Sequence, residues 1–313
     1  ILYLLYVSDI CILDWIGGAT METSGFSVDC ILPSDRFAVP RSVLRQVLVV
    51  CLPLLVFCMI CAYWTIRCLF RGKGISYLLR RWILSLVVVS YVSYISLTKS
   101  AINVFYCIDV VDGKTLETAD VSHTLWALDT AVTCYEDSHQ NLTWFLALPV
   151  MLFALVFPLS LAFVLINASR RKKLQNLWIQ ETVGLMFRGF EEKFIFWDSM
   201  ILLRKALLVT IVVHAYSLGG NLQGLLALCV LVFSLFLQTS LLPFKSKFGY
   251  LNQVESMSLF VSSITFLCGV ILSDSRMTSS FVEVSLLILV VVGNVGLAAF
   301  LFYYLFRVKV QQI

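Results

Sequence analysis

The chain has 313 residues, of which 60% are apolar and 13% charged, with a mean hydropathy of +0.91. An ordinary soluble domain is about 45–50% apolar and about 25% charged, and a sphere of this length has no interior large enough to hide the difference. These figures exclude a soluble enzyme, a disordered chain and a nucleic-acid-binding domain. They leave a polytopic membrane protein, so the net charge of +4 is read by position and not as a sum.

The expected fold class is all-α, a polytopic transmembrane helix bundle. A membrane-crossing helix needs about 20 mostly apolar residues. The first apolar run, 1–16, is interrupted by Asp9 and Asp14 and reads as a truncated or interfacial helix. It opens without Met or the charged start of a signal peptide, so the chain is expected to be part of a longer one. An outer segment, 17–42, follows. Seven full spans come next: 43–69, 82–106, 144–166, 196–216, 222–242, 256–272 and 282–306. Grouped, they are three spans over 43–166 with an outer loop at 107–143, a cytoplasmic linker at 168–195, four spans over 196–307, and a tail at 308–313. Alternating ten-residue segments, the mark of a β-barrel, are absent. The chain shows no internal repeat and no low-complexity tract.

Lys and Arg in the loops set the orientation. Residues 67–81 carry five of them and residues 170–193 carry six; Lys245, Lys247, Arg307 and Lys309 bring that side to fifteen. The opposite side has Arg36, Arg41, Arg45, Lys99, Lys114 and Arg276. The richer side is expected to be cytoplasmic, with the C-terminus inside. Asn141-Leu142-Thr143, a glycosylation acceptor pattern, then falls outside. So do Cys107 and Cys134, a candidate disulfide with Cys30 as competitor. The other seven cysteines read as small buried hydrophobes.

Within the linker, Arg170-Arg171-Lys172-Lys173 is a stop-transfer flank. The stretch 174–193 mixes Trp178, Val183, Leu185, Met186, Phe187 and Phe190 with Glu181, Arg188, Glu191, Glu192 and Lys193. That mixture suits an amphipathic helix at the membrane surface, with a plain loop as the other reading.

Ionisable groups at membrane depth are costly, which makes them the first place to seek function. Asp198 and Lys205 share a helical face, and Arg204 points about 100° away. Arg204 is therefore expected to meet Glu255, giving an inner charge cluster of Asp198, Arg204, Lys205 and Glu255; ordinary snorkelling of the basic side chains is the alternative. Two polar stripes recur at helical spacing: Ser90, Ser93, Ser96, Ser100 and Asn103 in one span, Ser258, Ser262, Thr265 and Gly269 in another. Each is a candidate polar path or a packing face, packing being the commoner use of small polar residues. Gln238 and Asn294 are buried amides that need partners. Voltage-sensor arginines and a potassium-filter motif are absent. Neither a metal-ligand spacing nor an acid–base constellation is present, so no metal, no cofactor and no enzymatic activity are expected.

Taken together, Phe26-Ser27-Val28-Asp29-Cys30, the Cys107/Cys134 loop, Gly184-Leu185-Met186-Phe187, Phe196-Trp197-Asp198, Leu203-Arg204-Lys205, Pro243 and Leu251-Asn252-Gln253-Val254-Glu255 occur in an order that resembles the transmembrane region of transient-receptor-potential-like proteins of protists, algae and fungi. Asp198 stands where that pattern often has Glu. The resemblance implies a cation-channel or channel-like role in the plasma or ciliary membrane. The lipid bilayer is then the partner, with copies of the chain or other membrane subunits beside it. A non-conducting anchor or receptor for a large extracellular region is the alternative. A seven-helix G-protein-coupled receptor ranks third, because the usual Asp-Arg-Tyr and Asn-Pro-x-x-Tyr signatures are missing.

Overall fold

A computed structural model gives the fold and describes residues 40–72, 74–111, 122–214, 220–273 and 280–310. The expected helix at 1–16, nearly all of the segment 17–42 and Cys30 lie outside these residues. Among the described residues the chain forms two compact units. One holds residues 40–188 with Ile195–Val209; the other holds Gly189–Phe194 and the residues from Thr210 onward.

The first unit begins with two antiparallel helices, α1 (Arg41–Phe70) and α2 (Ile75–Val104). Pro40 precedes α1, where its fixed φ suits a helix start. Gly72 ends it at φ +59, donating its N–H to the Leu69 carbonyl, a conformation that costs glycine nothing. Ser100 donates to Gln46, and this buried pair ties α2 to α1.

Three antiparallel strands follow, β1 (Cys107–Val111), β2 (Ser122–Trp126) and β3 (Asp129–Thr133), in the order β1-β2-β3. Cys107 lies opposite Trp126, and a bulge between Leu125 and Trp126 shifts the second pairing. This sheet departs from the all-α expectation, in which 107–143 is an irregular loop. Thr-, Val- and Trp-containing stretches as short as five residues give a weak strand signal, and only pairing decides them. The helix α3 (Asp137–Leu142) runs through a π-helical turn (Thr143–Ala147) into α4 (Leu148–Arg170). Val43, Val104, Trp126, Val132, Cys134, Leu142 and Ala147 form one core, so the sheet sits on the ends of these helices.

Farther along, Tyr94, Ala154 and Leu202 close a second core with Phe153 and Phe157 around them. After α4 the chain makes α5 (Leu177–Thr182) and α6 (Gly184–Phe187). The single amphipathic helix expected over 174–193 is therefore replaced by two short ones. Their apolar residues Ile179, Val183, Met186 and Phe187 are buried against Leu161, Leu165, Ala168 and Ile195. Asn176 caps α5 by accepting from the Trp178 N–H, and Glu181 pairs with Arg80 of α2 at 3.1 Å.

Helix α7 (Trp197–His214) is 18 residues long and carries Asp198, Arg204 and Lys205. The second unit adds α8 (Gly220–Leu241), α9 (Gly249–Ser273) and α10 (Ser280–Val310). Along α8, Gly224, Ala227, Leu231, Ser234 and Gln238 recur at steps of three and four, a seam of mostly small residues. It packs on α9 so closely that a Cβ at Gly224 would overlap Val270 Cγ2. Against α10, Tyr250 stacks on Tyr304 at 5.9 Å between centroids, and Asn294 donates to Thr265 Oγ1 at 3.2 Å.

Among the described residues, six helices are long and apolar enough to cross a membrane: Ser42–Phe70, Ile75–Val104, Ser138–Arg170, Asn221–Leu241, Ser246–Leu272 and Phe281–Tyr304. The remaining expected span, 196–216, coincides with α7, whose 18 residues include Asp198, Arg204 and Lys205. Large apolar side chains face outward along the helices, among them Leu54 at 60% exposure, Phe233 at 62% and Val292 at 62%. A water-soluble surface does not carry such continuous apolar faces. Two cysteines expected to be buried, Cys58 and Cys229, are on these exposed faces; Cys68 and Cys268 are buried as expected.

Candidate functional site: a buried carboxylate and its surroundings

The start of helix α7 is buried except at Met200, which is exposed. Trp197, Asp198, Ser199, Ile201 and Leu202 are all buried, and Asp198 has no exposed surface at all. The position suits a carboxylate because the helix N-terminus carries partial positive charge. Tyr91 of α2 donates its hydroxyl to Asp198 Oδ1 at 3.2 Å. Next to it, the Ser199 hydroxyl is buried and has no hydrogen-bond partner among the described residues. A buried hydroxyl left without a bond costs about 1–3 kcal/mol. Asp198 thus meets Tyr91 of α2, and the next residue along the chain carries the unbonded hydroxyl.

Arg204 and Lys205 lie about 9–10 Å further along the same helix, both half-buried. Glu255 is also buried, at 2% exposure, and belongs to the other unit. Three of the four expected cluster residues thus share one helix and one unit. The partner sequence reasoning missed is Tyr91, one residue after Ser90 of the polar stripe; 107 positions separate it from Asp198, and no local signal links them.

The second unit contains a polar knot. Gln238, fully buried, donates from Nε2 to Asn252 Oδ1 at 3.2 Å. Asn252 also accepts from the Phe244 N–H at 3.2 Å and donates to the Phe244 carbonyl at 3.3 Å. Between them the chain turns at Leu242, whose φ is +45, and at Pro243. The same turn receives the linker: Glu191 N–H donates to the Pro243 carbonyl, Lys245 N–H donates to the Gly189 carbonyl, and the Phe190 and Phe244 rings meet at a tilt, 4.6 Å between centroids. Gln238 was legible as an amide needing a partner; Asn252 was visible only as one letter of a longer motif.

The polar stripes each bond to a neighbouring helix, through Ser100 in the first and Thr265 in the second. Ser100 bonds to Gln46, Ser90, Ser93 and Ser96 are half-buried, and the Asn103 carbonyl accepts from Trp126 Nε1 at 2.9 Å. On α9, Ser258 is buried at 4% exposure, Ser262 is half-buried, and Thr265 donates to its own helix and accepts from Asn294. Gly269, the last member of that stripe, is exposed.

Cys107 and Cys134 form a disulfide, with Cα atoms 6.3 Å apart. Their sulfurs and a nitrogen of His139 lie within 4.8 Å of one another. The donors do not suit a metal, because the sulfurs are bonded to each other. Both imidazole nitrogens are also engaged: Nδ1 accepts from the Tyr135 N–H at 3.0 Å, and Nε2 donates to the Val104 carbonyl at 3.1 Å. His139 is wholly buried against Trp126 and Tyr135 and acts as a structural rivet. In the acceptor pattern, Asn141 is exposed on α3, while Thr143 is buried and donates its hydroxyl to the His139 carbonyl at 2.9 Å.

Compared with protein-family models, with curated proteins and with solved structures, the chain matches none.

Proposed function

We propose that the protein is an integral membrane protein that passes a cation or proton, with Asp198 as the residue on which passage depends. The observation that carries this reading is a carboxylate with no exposed surface, in a helix whose other charges are Arg204 and Lys205 and whose remaining residues are mostly apolar. Burying an ionised group is expensive, and such groups in membrane helices mark ion or proton routes by default. The resemblance to transient-receptor-potential-like proteins supports the same reading, and Asp198 lies in one of its motifs. In this proposal the lysine- and arginine-rich ends of the helices face the cytoplasm.

The test is cation and proton flux into liposomes holding the full purified chain, under voltage, membrane tension and calcium. Flux in the wild type that Asp198→Asn removes supports the proposal. Absence of flux under all three stimuli overturns it. That outcome leaves the second reading, a non-conducting anchor or receptor for an extracellular region. A specific observation favours the second reading: Ser100 of one stripe and Thr265 of the other bond to neighbouring helices, at Gln46 and at Asn294, the latter exposed and not the buried amide expected.

A further inference from the structure

At the turn between α1 and α2, two arginines share one indole. The guanidinium carbon of Arg67 lies 5.4 Å from the Trp64 ring centroid, and that of Arg81 lies 5.0 Å from it. Arg81 also sits over Tyr77 at 5.1 Å, and Arg67 donates to the Tyr63 hydroxyl at 3.0 Å. The neighbouring Arg80 has a carboxylate partner in Glu181. Among the described residues neither Arg67 nor Arg81 has one, and the Arg81 Nε–H is buried without a hydrogen-bond partner. Two like charges are thus held on one ring by aromatic contacts, with no carboxylate partner for either among the described residues. Each guanidinium keeps free donors in the fork geometry that suits phosphate.

Depth along the helices agrees. Arg67 stands about 33 Å up α1 from Arg45, and Arg81 about 27 Å along α2 from Lys99. Both intervals match a hydrocarbon layer of about 30 Å, which puts the pair and Trp64 at the level of the headgroups, where aromatic rings gather. Around the turn, Leu69, Phe70 and Ile75 are exposed at 77%, 88% and 83%. A free anion would satisfy the arginines and leave these apolar side chains uncovered. A molecule with both a phosphate and acyl chains covers both.

We propose that this corner binds an anionic phospholipid, its phosphate held by Arg67 and Arg81 beside the Trp64 ring and its chains lying on the apolar flank. The site is independent of whether the protein conducts ions. The experiment is native mass spectrometry of the full chain in detergent, titrated separately with phosphatidylglycerol and phosphatidylcholine. The wild type is expected to retain phosphatidylglycerol at least about tenfold better. Arg67→Gln with Arg81→Gln should abolish that preference, while Arg170→Gln with Arg171→Gln, which removes the same charge elsewhere, should preserve it. An unchanged melting temperature shows that the variants fold. Equal retention of the two lipids by the wild type overturns the proposal, as does equal loss in both double variants. Displacement of the lipid by millimolar inorganic phosphate also overturns it, since a free anion would then be the ligand.

Discussion

Tyr94 completes a hydrogen bond that Pro158 removes. In α4 the Ala154 carbonyl would ordinarily accept from the N–H four residues on, but that residue is Pro158 and has none. The Tyr94 hydroxyl, from α2, donates to this carbonyl at 2.7 Å. Tyr94 is itself fully buried, so the bond fastens two helices at a point where neither group has access to water. Tyr94→Phe should therefore cost about 1–3 kcal/mol, the penalty of an unmet buried carbonyl. Adding Pro158→Ala to the Tyr94→Phe variant should recover part of that loss by restoring the helical donor. Thermal unfolding of the wild type, both single variants and the double variant in detergent measures the coupling, and strictly additive effects would refute this account.

The Gln238–Asn252 pair makes an ordered prediction. Gln238→Leu leaves one amide oxygen of Asn252 short of a donor, though it still accepts from Phe244. Asn252→Leu removes three bonds at once, one to Gln238 and two to the Phe244 backbone. The second change should destabilise more than the first, by about 1–3 kcal/mol. It should also open the turn that holds the linker through Gly189 and Glu191. Limited proteolysis near 189–194 and melting temperatures check both statements; the reverse order of stability would contradict them.

Gly224 is a test of packing. A methyl group there would overlap Val270, a stiff β-branched side chain. Gly224→Ala should cost about 1–3 kcal/mol, and Val270→Ala should relieve much of that in the double variant. A Gly224→Ala protein as stable as the wild type would show that α8 and α9 approach less closely.

The disulfide closes a segment of sequence separation 27, which on the chain-entropy view stabilises by about 3–4 kcal/mol. Reduction should lower the melting temperature. His139→Phe, which keeps the ring but strands the Val104 carbonyl and the Tyr135 N–H, should lower it again by about 1–3 kcal/mol. Melting curves with and without reductant separate the two contributions.

Asp198→Asn should separate function from stability. Asparagine retains an oxygen for the Tyr91 hydroxyl and removes a charge that burial penalises. Its melting temperature should equal or exceed that of the wild type while any flux is lost. A large drop in stability would instead make Asp198 a structural residue.

Composition alone settled the class of surface this protein presents, because a chain this apolar has no way to bury itself. Hydropathy runs likewise located most of the long helices: the run at 43–69 and helix α1, Arg41–Phe70, differ by one or two residues at each end. Capping and length are local properties, so a linear reading recovers them. Cysteine placement anticipated the Cys107–Cys134 bond for a similar reason, both lying in one loop between spans.

Only the tertiary structure decided what the polar residues do. Tyr91 reaches Asp198 across 107 positions, Gln238 meets Asn252 around a turn, and Tyr94 answers a proline 64 residues away. The linker 174–193 has the composition of an amphipathic surface helix, and its Ile179, Val183, Met186 and Phe187 pack on α4. Periodicity shows that a helix has an apolar face, but lipid and neighbouring helices are equally apolar, so the pattern is the same for both. Which of the two covers a face is settled by where the chain returns, and that depends on contacts distant in sequence.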